Sequence, residues 1–342
     1  MSIRRQGEST GQSGAAQYDP VHPPVQPRVE IRRLSRFEWP TVSTYDGAGH
    51  RKVRDQMAGV AFARKQVLFD YDRWSEQLPC LAERYRSNQP FAHVHLENFL
   101  DPDTALGLME DFPEATSNAW IQYKHHNENK MGLPKRELFP QRIGRAVDEL
   151  NSPEFVSWLG ELTGIEGLMA DETLEGGGLH QSSQGGFLNV HADFTMHHHH
   201  KNWRRRINLI VYLNEGWKPE WGGDIELWDR NVTRCVARVA PLLNHALIFN
   251  TDESSYHGFP DPLSCPQGAS RKSLALYYYT VEGHAARRGK STNYRARPGD
   301  GPVRSALIWA DKQAVHLYSR VKETFGLSDD FASRLLGFLS RK

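Results

Sequence analysis

Apolar positions change their spacing once along this chain. Between about Lys52 and Ser87, Val53, Met57, Val60, Val67 and Leu68, then Trp74, Leu78 and Leu81, recur near helical spacing, with a break at Asp70–Asp72. The spacing predicts two helices. Asp101 before Pro102 is a cap followed by a first-turn proline and predicts a short helix to about Asp111; Ser152-Pro153-Glu154 repeats the signal, with Gly164 where a C-terminal cap belongs. From Gly178 the pattern turns to short β-rich runs broken by Gly, Asn and Pro. Helices first and strands after imply an α+β arrangement, the helices buttressing a sheet. Past Ala285, Arg287, Arg288, Lys290, Arg295 and Arg297 read as a solvated loop, and residues 306–342 as a terminal helical element.

Composition sharpens this only in places. The first 28 residues, rich in Gly, Ser, Gln and Pro, bury too little apolar surface to fold alone and read as a tail. The 342 residues then divide into a tail (1–28), a helical segment (29–89), a main domain (90–283) and a basic loop with a helical extension (284–342). A net charge of +1 gives no electrostatic footprint for nucleic acid or membrane. Arg4 and Arg5 are not followed by the apolar core of a signal peptide, and no run has the length of a membrane span. Cys80, Cys235 and Cys265 show no disulfide or zinc-finger spacing, so a reducing cytoplasm is the expected home.

The chemistry concentrates in two places. His191-Ala192-Asp193 puts an imidazole and a carboxylate on one side of an extended strand, and His257 offers a third ligand from a distant strand. Two imidazoles and one carboxylate with open positions suit catalytic Fe(II), not structural zinc, which fills its shell with four protein ligands. Downstream, Arg271-Lys272-Ser273 opens the apolar run Leu274–Thr280; period-two geometry sets Arg271 and Ser273 on one face and Lys272 on the other. A guanidinium fork with a nearby hydroxyl matches the far carboxylate of a dicarboxylate co-substrate.

Together these residues resemble the 2-oxoglutarate/Fe(II)-dependent oxygenase superfamily, with its His-x-Asp…His triad and following Arg-x-Ser pair, and more narrowly its bacterial prolyl-hydroxylase-like branch. The resemblance runs from about residue 90 to 282 and takes in Pro90–Leu100, Arg206–Asn214, Trp221–Trp228 and Ser255–Pro260. It implies a double-stranded β-helix (jelly-roll, cupin-like) core with N-terminal buttressing helices and a C-terminal extension. It also implies Fe(II), 2-oxoglutarate and O2, with ascorbate as an auxiliary reductant, and hydroxylation of a small molecule or of a free or peptidyl amino-acid side chain. Halogenases of this superfamily lack the carboxylate that Asp193 supplies here; desaturation and cyclisation stay open, as does a cupin-like metal binder or sensor without turnover.

Asn189 shares the face of His191 by parity, where it either contacts co-substrate or is a plain inward-facing polar residue. His180 is a further pocket candidate. Four consecutive histidines, His197–His200, cannot all face one ion and read as a loop at the cavity rim. Trp217, Trp221 and Trp228 read as packing residues.

Overall fold

The computed structural model describes residues 68–283 and 289–325. The expected tail, the first predicted helix up to residue 67, Arg287 and Arg288, and the chain beyond 325 lie outside the described residues. The helical layer consists of α1 (Tyr71–Ser87), α2 (Pro102–Glu110), α3 (Gln141–Leu150) and α4 (Pro153–Thr163). Asp70, Asp101 and Ser152 cap three of these, each accepting from the backbone N–H three residues on. Helix α3 carries the right spacing in Ile143, Ala146, Val147 and Leu150, but Pro140 makes no side-chain cap, so it has no start signal to read.

The strands are β1 (His93–Leu96), β2 (Ile121–His125), β3 (Glu128–Leu133), β4 (Met169–Ala170), β5 (Gly178–Ser183), β6 (Phe187–Ala192) and β7 (Trp203–Tyr212). They continue as β8 (Ile225–Trp228), β9 (Cys235–Val239), β10 (Ala246–Asn250), β11 (His257–Phe259), β12 (Ser270–Val281) and β13 (Asn293–Tyr294). All join one antiparallel sheet in the order β1-β10-β7-β12-β5-β3-β6-β11-β8-β9, which curls into a nearly closed jelly-roll barrel. The β2–β3 hairpin escapes the hydrophobic pattern because β2 alternates only between half-buried and exposed positions, while β3 is fixed by pairing with β5 and β6.

Period-two alternation sorts the two faces of the central strands. Leu209, Val211, Leu274, Leu276, Ile248 and Leu179 point outward into the core shared with the helices. Tyr212, Leu247 and Phe249 point into the barrel, where Ile225, Leu227 and Val239 of the facing sheet meet them. The apolar core thus lies mainly between helices and sheet, leaving room for polar groups inside the barrel.

The C-terminal segment departs from expectation. Residues 293–297 are not a free solvated loop: β13 pairs with β6, Arg295 N–H donates to Val190 O at 2.9 Å, and Arg297 bridges to Asp261 at 2.8 Å. Helix α5 (Pro302–Phe325) follows. No helix among the described residues is long and apolar enough to cross a membrane.

Candidate metal centre and anion site

His191 lies at the end of β6 and pairs directly with His257, the first residue of β11. Asp193 follows as the strand runs out. One ligand atom from each of the three falls within 4.8 Å of the others. His191 Nε2 is 3.4 Å from Asp193 Oδ1, and His257 Nε2 is 3.5 Å from Oδ2. Both imidazoles donate Nδ1–H to a carbonyl two residues back, His191 to Asn189 O and His257 to Ser255 O, each at 2.9 Å. Since a carbonyl only accepts, the tautomer is fixed and both Nε2 lone pairs aim at Asp193. Burial pushes the His257 pKa down to about 4, so the ring is neutral and ready to ligate.

Burial also opposes ionisation of Asp193, but the Arg205 guanidinium holds its carboxyl well below the usual range. Arg205 Nη2 lies 3.0 Å from Oδ2, and Asn208 donates to the same oxygen at 2.8 Å. Oδ1 is left facing His191. Arg205 is itself sandwiched against the Tyr277 ring, 3.4 Å from its centroid, and tied by Nε to Asn208 Oδ1. Two imidazoles with lone pairs aimed at one point, a prearranged carboxylate and, among the described residues, no fourth protein ligand fit a ferrous ion with open positions.

A bulge places these groups. Leu188 pairs with Phe259 and His191 with His257, so Asn189 and Val190 oppose Gly258 alone. Leu188 and His191, three apart, therefore both line the cavity. A Cβ on Gly258 would sit 2.7 Å from Leu188 O and 2.9 Å from Asn189 O, so the bulge closes only over glycine. Across the barrel, Tyr278 pairs with Ile207 and Tyr279 with Arg205, so Arg206 is looped out and Arg205 turns to the side of Asn208.

The bulge overturns the parity argument for Asn189. Its amide donates to His126 O and Asn127 Oδ1 and accepts from Arg304, away from the cavity. It is a plain buried polar residue holding β6 to the β2–β3 turn and to α5.

The same cavity is lined by Arg271, Ser273, His180, Lys130 and Tyr277. In β12 the register is unbroken from Ser273 to Tyr278, so Arg271 and Ser273 do face inward, while Lys272 turns out over the Phe112 ring. Arg271 donates from Nε to Gly223 O at 2.7 Å and from Nη2 to the Tyr212 hydroxyl at 3.4 Å; Phe259 covers its face. The close approach needs Gly223, whose φ is 85° and whose missing Cβ would meet Arg271 Cδ at 3.1 Å. Burial pushes the Arg271 pKa down, and no described carboxylate pairs with it. A buried guanidinium that no described carboxylate offsets has the charge and the donors to meet an anionic group.

Sequence reasoning missed Arg205, Asn208, Lys130 and Tyr294. Lys130 sits 3.2 Å from Glu128 and is kept protonated by it, by Tyr277 and by Asp193 against the effect of burial. Tyr294 packs its ring 5.4 Å from that of His191. His180 reaches the cavity; burial beside Lys130 and Arg271 lowers its pKa to about 3. The histidine run is a loop after β6 whose first member is an anchor: His197 is buried, with Nε2 3.5 Å from Asp171 and Nδ1 accepting the N–H groups of His199 and His200. Trp217, Trp221 and Trp228 pack in apolar clusters and do not themselves line the cavity, although Leu188 and Phe259 of the Trp217 cluster do.

Residues 177–279, which hold both sites, match the family model described as the 2OG-Fe(II) oxygenase superfamily. No curated protein matches the sequence. Among solved structures the chain is similar to a prolyl-4-hydroxylase from Pseudomonas putida (18% identity, 59% of this chain and 100% of that one, TM-score 0.43). It is also similar to a prolyl hydroxylase from Trichoplax adhaerens in complex with a hypoxia inducible factor peptide (15%, 61% and 91%, 0.45). A third is HygX from Streptomyces hygroscopicus with nickel, 2-oxoglutarate and hygromycin B (11%, 62% and 96%, 0.40).

Proposed function

We propose that this chain, which belongs through residues 177–279 to the 2OG-Fe(II) oxygenase superfamily, hydroxylates a small molecule or an amino-acid side chain, free or peptidyl. The family takes Fe(II), 2-oxoglutarate and O2. The observation that carries the reading is the unpaired, buried Arg271 in one cavity with the His191, Asp193 and His257 cluster. A metal binder or sensor without turnover needs no dock for a dicarboxylate.

In this reading His191, Asp193 and His257 hold Fe(II), and Arg271 with Ser273 holds the distal carboxylate of 2-oxoglutarate. Bound iron supplies the point at which co-substrate and O2 react, giving succinate and CO2 while one oxygen atom enters a substrate C–H bond. Arg271 and Lys130 offset the charge of the entering dianion, and Phe259 and Tyr212 shield the Arg271 contact from water. Arg205 and Asn208 fix the Asp193 carboxylate, leaving one oxygen for the metal. Asp193 fills the corner that a halide would need, which favours hydroxylation over halogenation.

The test is succinate formation from 2-oxoglutarate by the full chain with Fe(II) and ascorbate under air. Wild type is expected to turn over slowly without prime substrate and His191→Ala not at all. Equal turnover in the two proteins, or none in an iron-loaded wild type with a panel of candidate substrates, would overturn the reading.

A further inference from the structure

A second cluster repeats the design of the first at another place in the barrel. Among the described residues two groups of three hold their ligand atoms within 4.8 Å of one another, and the second is His95, Glu97 and His245. His95-Leu96-Glu97 has the spacing of His191-Ala192-Asp193, again an imidazole and a carboxylate two apart where a strand ends. The third member stands just before a neighbouring strand: β1 pairs with β10, His95 opposite Leu247, so His245 lies two positions on from the residue that His95 faces. His95 Nε2 and His245 Nδ1 face each other at 2.9 Å, with ring centroids 4.9 Å apart. One proton lies between two nitrogens that would otherwise both present lone pairs, and the field of Glu97 reaches both rings. Arg84, in the last turn of α1, is the cation whose field reaches His95.

We propose that His95, Glu97 and His245 form a second divalent-metal site, of the zinc class, which clamps the edge strand β1 to the turn before β10. Two imidazoles and one carboxylate accept Zn2+, Co2+ or Ni2+ as an open site of three protein ligands, in contrast to the closed four-ligand structural type, and the half-exposed position leaves the further corner to water. On binding, the proton shared by the two rings moves to the far nitrogen of its own imidazole, so both rings ligate as neutral bases and tie the sheet edge, β1, to the chain behind it.

The experiment must separate this site from the catalytic cluster and from the exposed histidines of the 197–200 run, of which His199 is 71% exposed. The full chain carrying His257→Ala, His198→Ser and His199→Ser is stripped with chelator and titrated with Co2+ and then Zn2+. One equivalent of Co2+ is expected, with visible ligand-field absorption and displacement by Zn2+. Adding His95→Ala or His245→Ala removes that equivalent, while Glu97→Gln weakens it. Circular dichroism of the metal-free proteins establishes that each variant folds. No bound equivalent, in which case the pair is a hydrogen bond and nothing more, or an equivalent that survives both His95→Ala and His245→Ala, overturns the proposal.

Discussion

Arg205 Nη2 stands 3.0 Å from Asp193 Oδ2, so the carboxylate offered to the metal is also the counter-charge of a fully buried guanidinium. Removing one partner of a buried ion pair leaves the other uncompensated and costs about 3–5 kcal/mol. Asp193→Ala is therefore expected to destabilise the metal-free protein by about that amount, besides abolishing turnover. His191→Ala strands no charge and should cost clearly less. Urea denaturation in the presence of chelator measures both; an Asp193→Ala protein as stable as His191→Ala would contradict the pairing.

Gly258 controls the spacing of His191 and His257, the two histidines proposed as ligands. Gly258→Ala pushes a methyl group onto Leu188 O and Asn189 O at 2.7 and 2.9 Å, against backbone that cannot swing aside. Overpacking of this kind costs roughly 1–3 kcal/mol. Because the bulge sets His191 opposite His257, iron stoichiometry should fall although every ligand is intact. Full iron occupancy in Gly258→Ala would show that the bulge does not set the site.

The structural role of Asn189 has its own signature. Asn189→Ala removes the donor to Asn127 Oδ1 and to the His126 carbonyl, at about 1–3 kcal/mol of stability for groups this buried. The affinity for 2-oxoglutarate should stay within about twofold of wild type, well below the 1.4 kcal/mol that marks a tenfold change. A large loss of co-substrate affinity with unchanged stability would restore the parity reading.

These residues also mark how far the sequence could be read. Period-two alternation holds in β12, so Arg271, Ser273 and the outward Lys272 follow from spacing alone. It fails at Asn189 and Arg205, where one extra residue in β6 and one in β7 reverse the faces, and no residue type announces either bulge. Arg205 was further hidden by standing between Arg204 and Arg206, a triplet that looks solvated. Capped helices were legible where Asp101 and Ser152 supply a side-chain acceptor, and α3 was not, for want of one. Lys130 and Tyr294 reach the cavity or its ligands through pairings between segments distant in sequence, which composition does not encode.

His125 joins α5 to the β2–β3 hairpin, with Nδ1 2.7 Å from Asp311 and Nε2 2.8 Å from Glu128. Burial opposes its charge, but hydrogen bonds to Asp311 and Glu128 raise its pKa from 6.5 to about 9. With the folded value above the unfolded one, the stabilisation is fully present below about pH 6.5 and disappears as pH rises through about 9. At 1.36 kcal/mol per unit the contribution is on the order of 3 kcal/mol. The difference in unfolding free energy between wild type and His125→Gln should therefore shrink across this window. A difference that does not vary with pH would contradict the charged bridge.

The union of metal cluster and anion dock is tested most directly by anaerobic titration of the Fe(II)-loaded chain with 2-oxoglutarate, following the metal-to-ligand charge-transfer band. A charge-assisted contact worth about 1.5–3 kcal/mol corresponds to roughly ten- to a hundredfold in affinity. Wild type should saturate at one co-substrate per iron, and Arg271→Ala should need that much more 2-oxoglutarate with iron still bound. Arg271→Lys should recover only part, since a point charge lacks the guanidinium fork. Lys272→Ala should titrate as wild type, and His257→Ala should show no band. An Arg271→Ala protein titrating like wild type, or a full band in His257→Ala, would contradict the account.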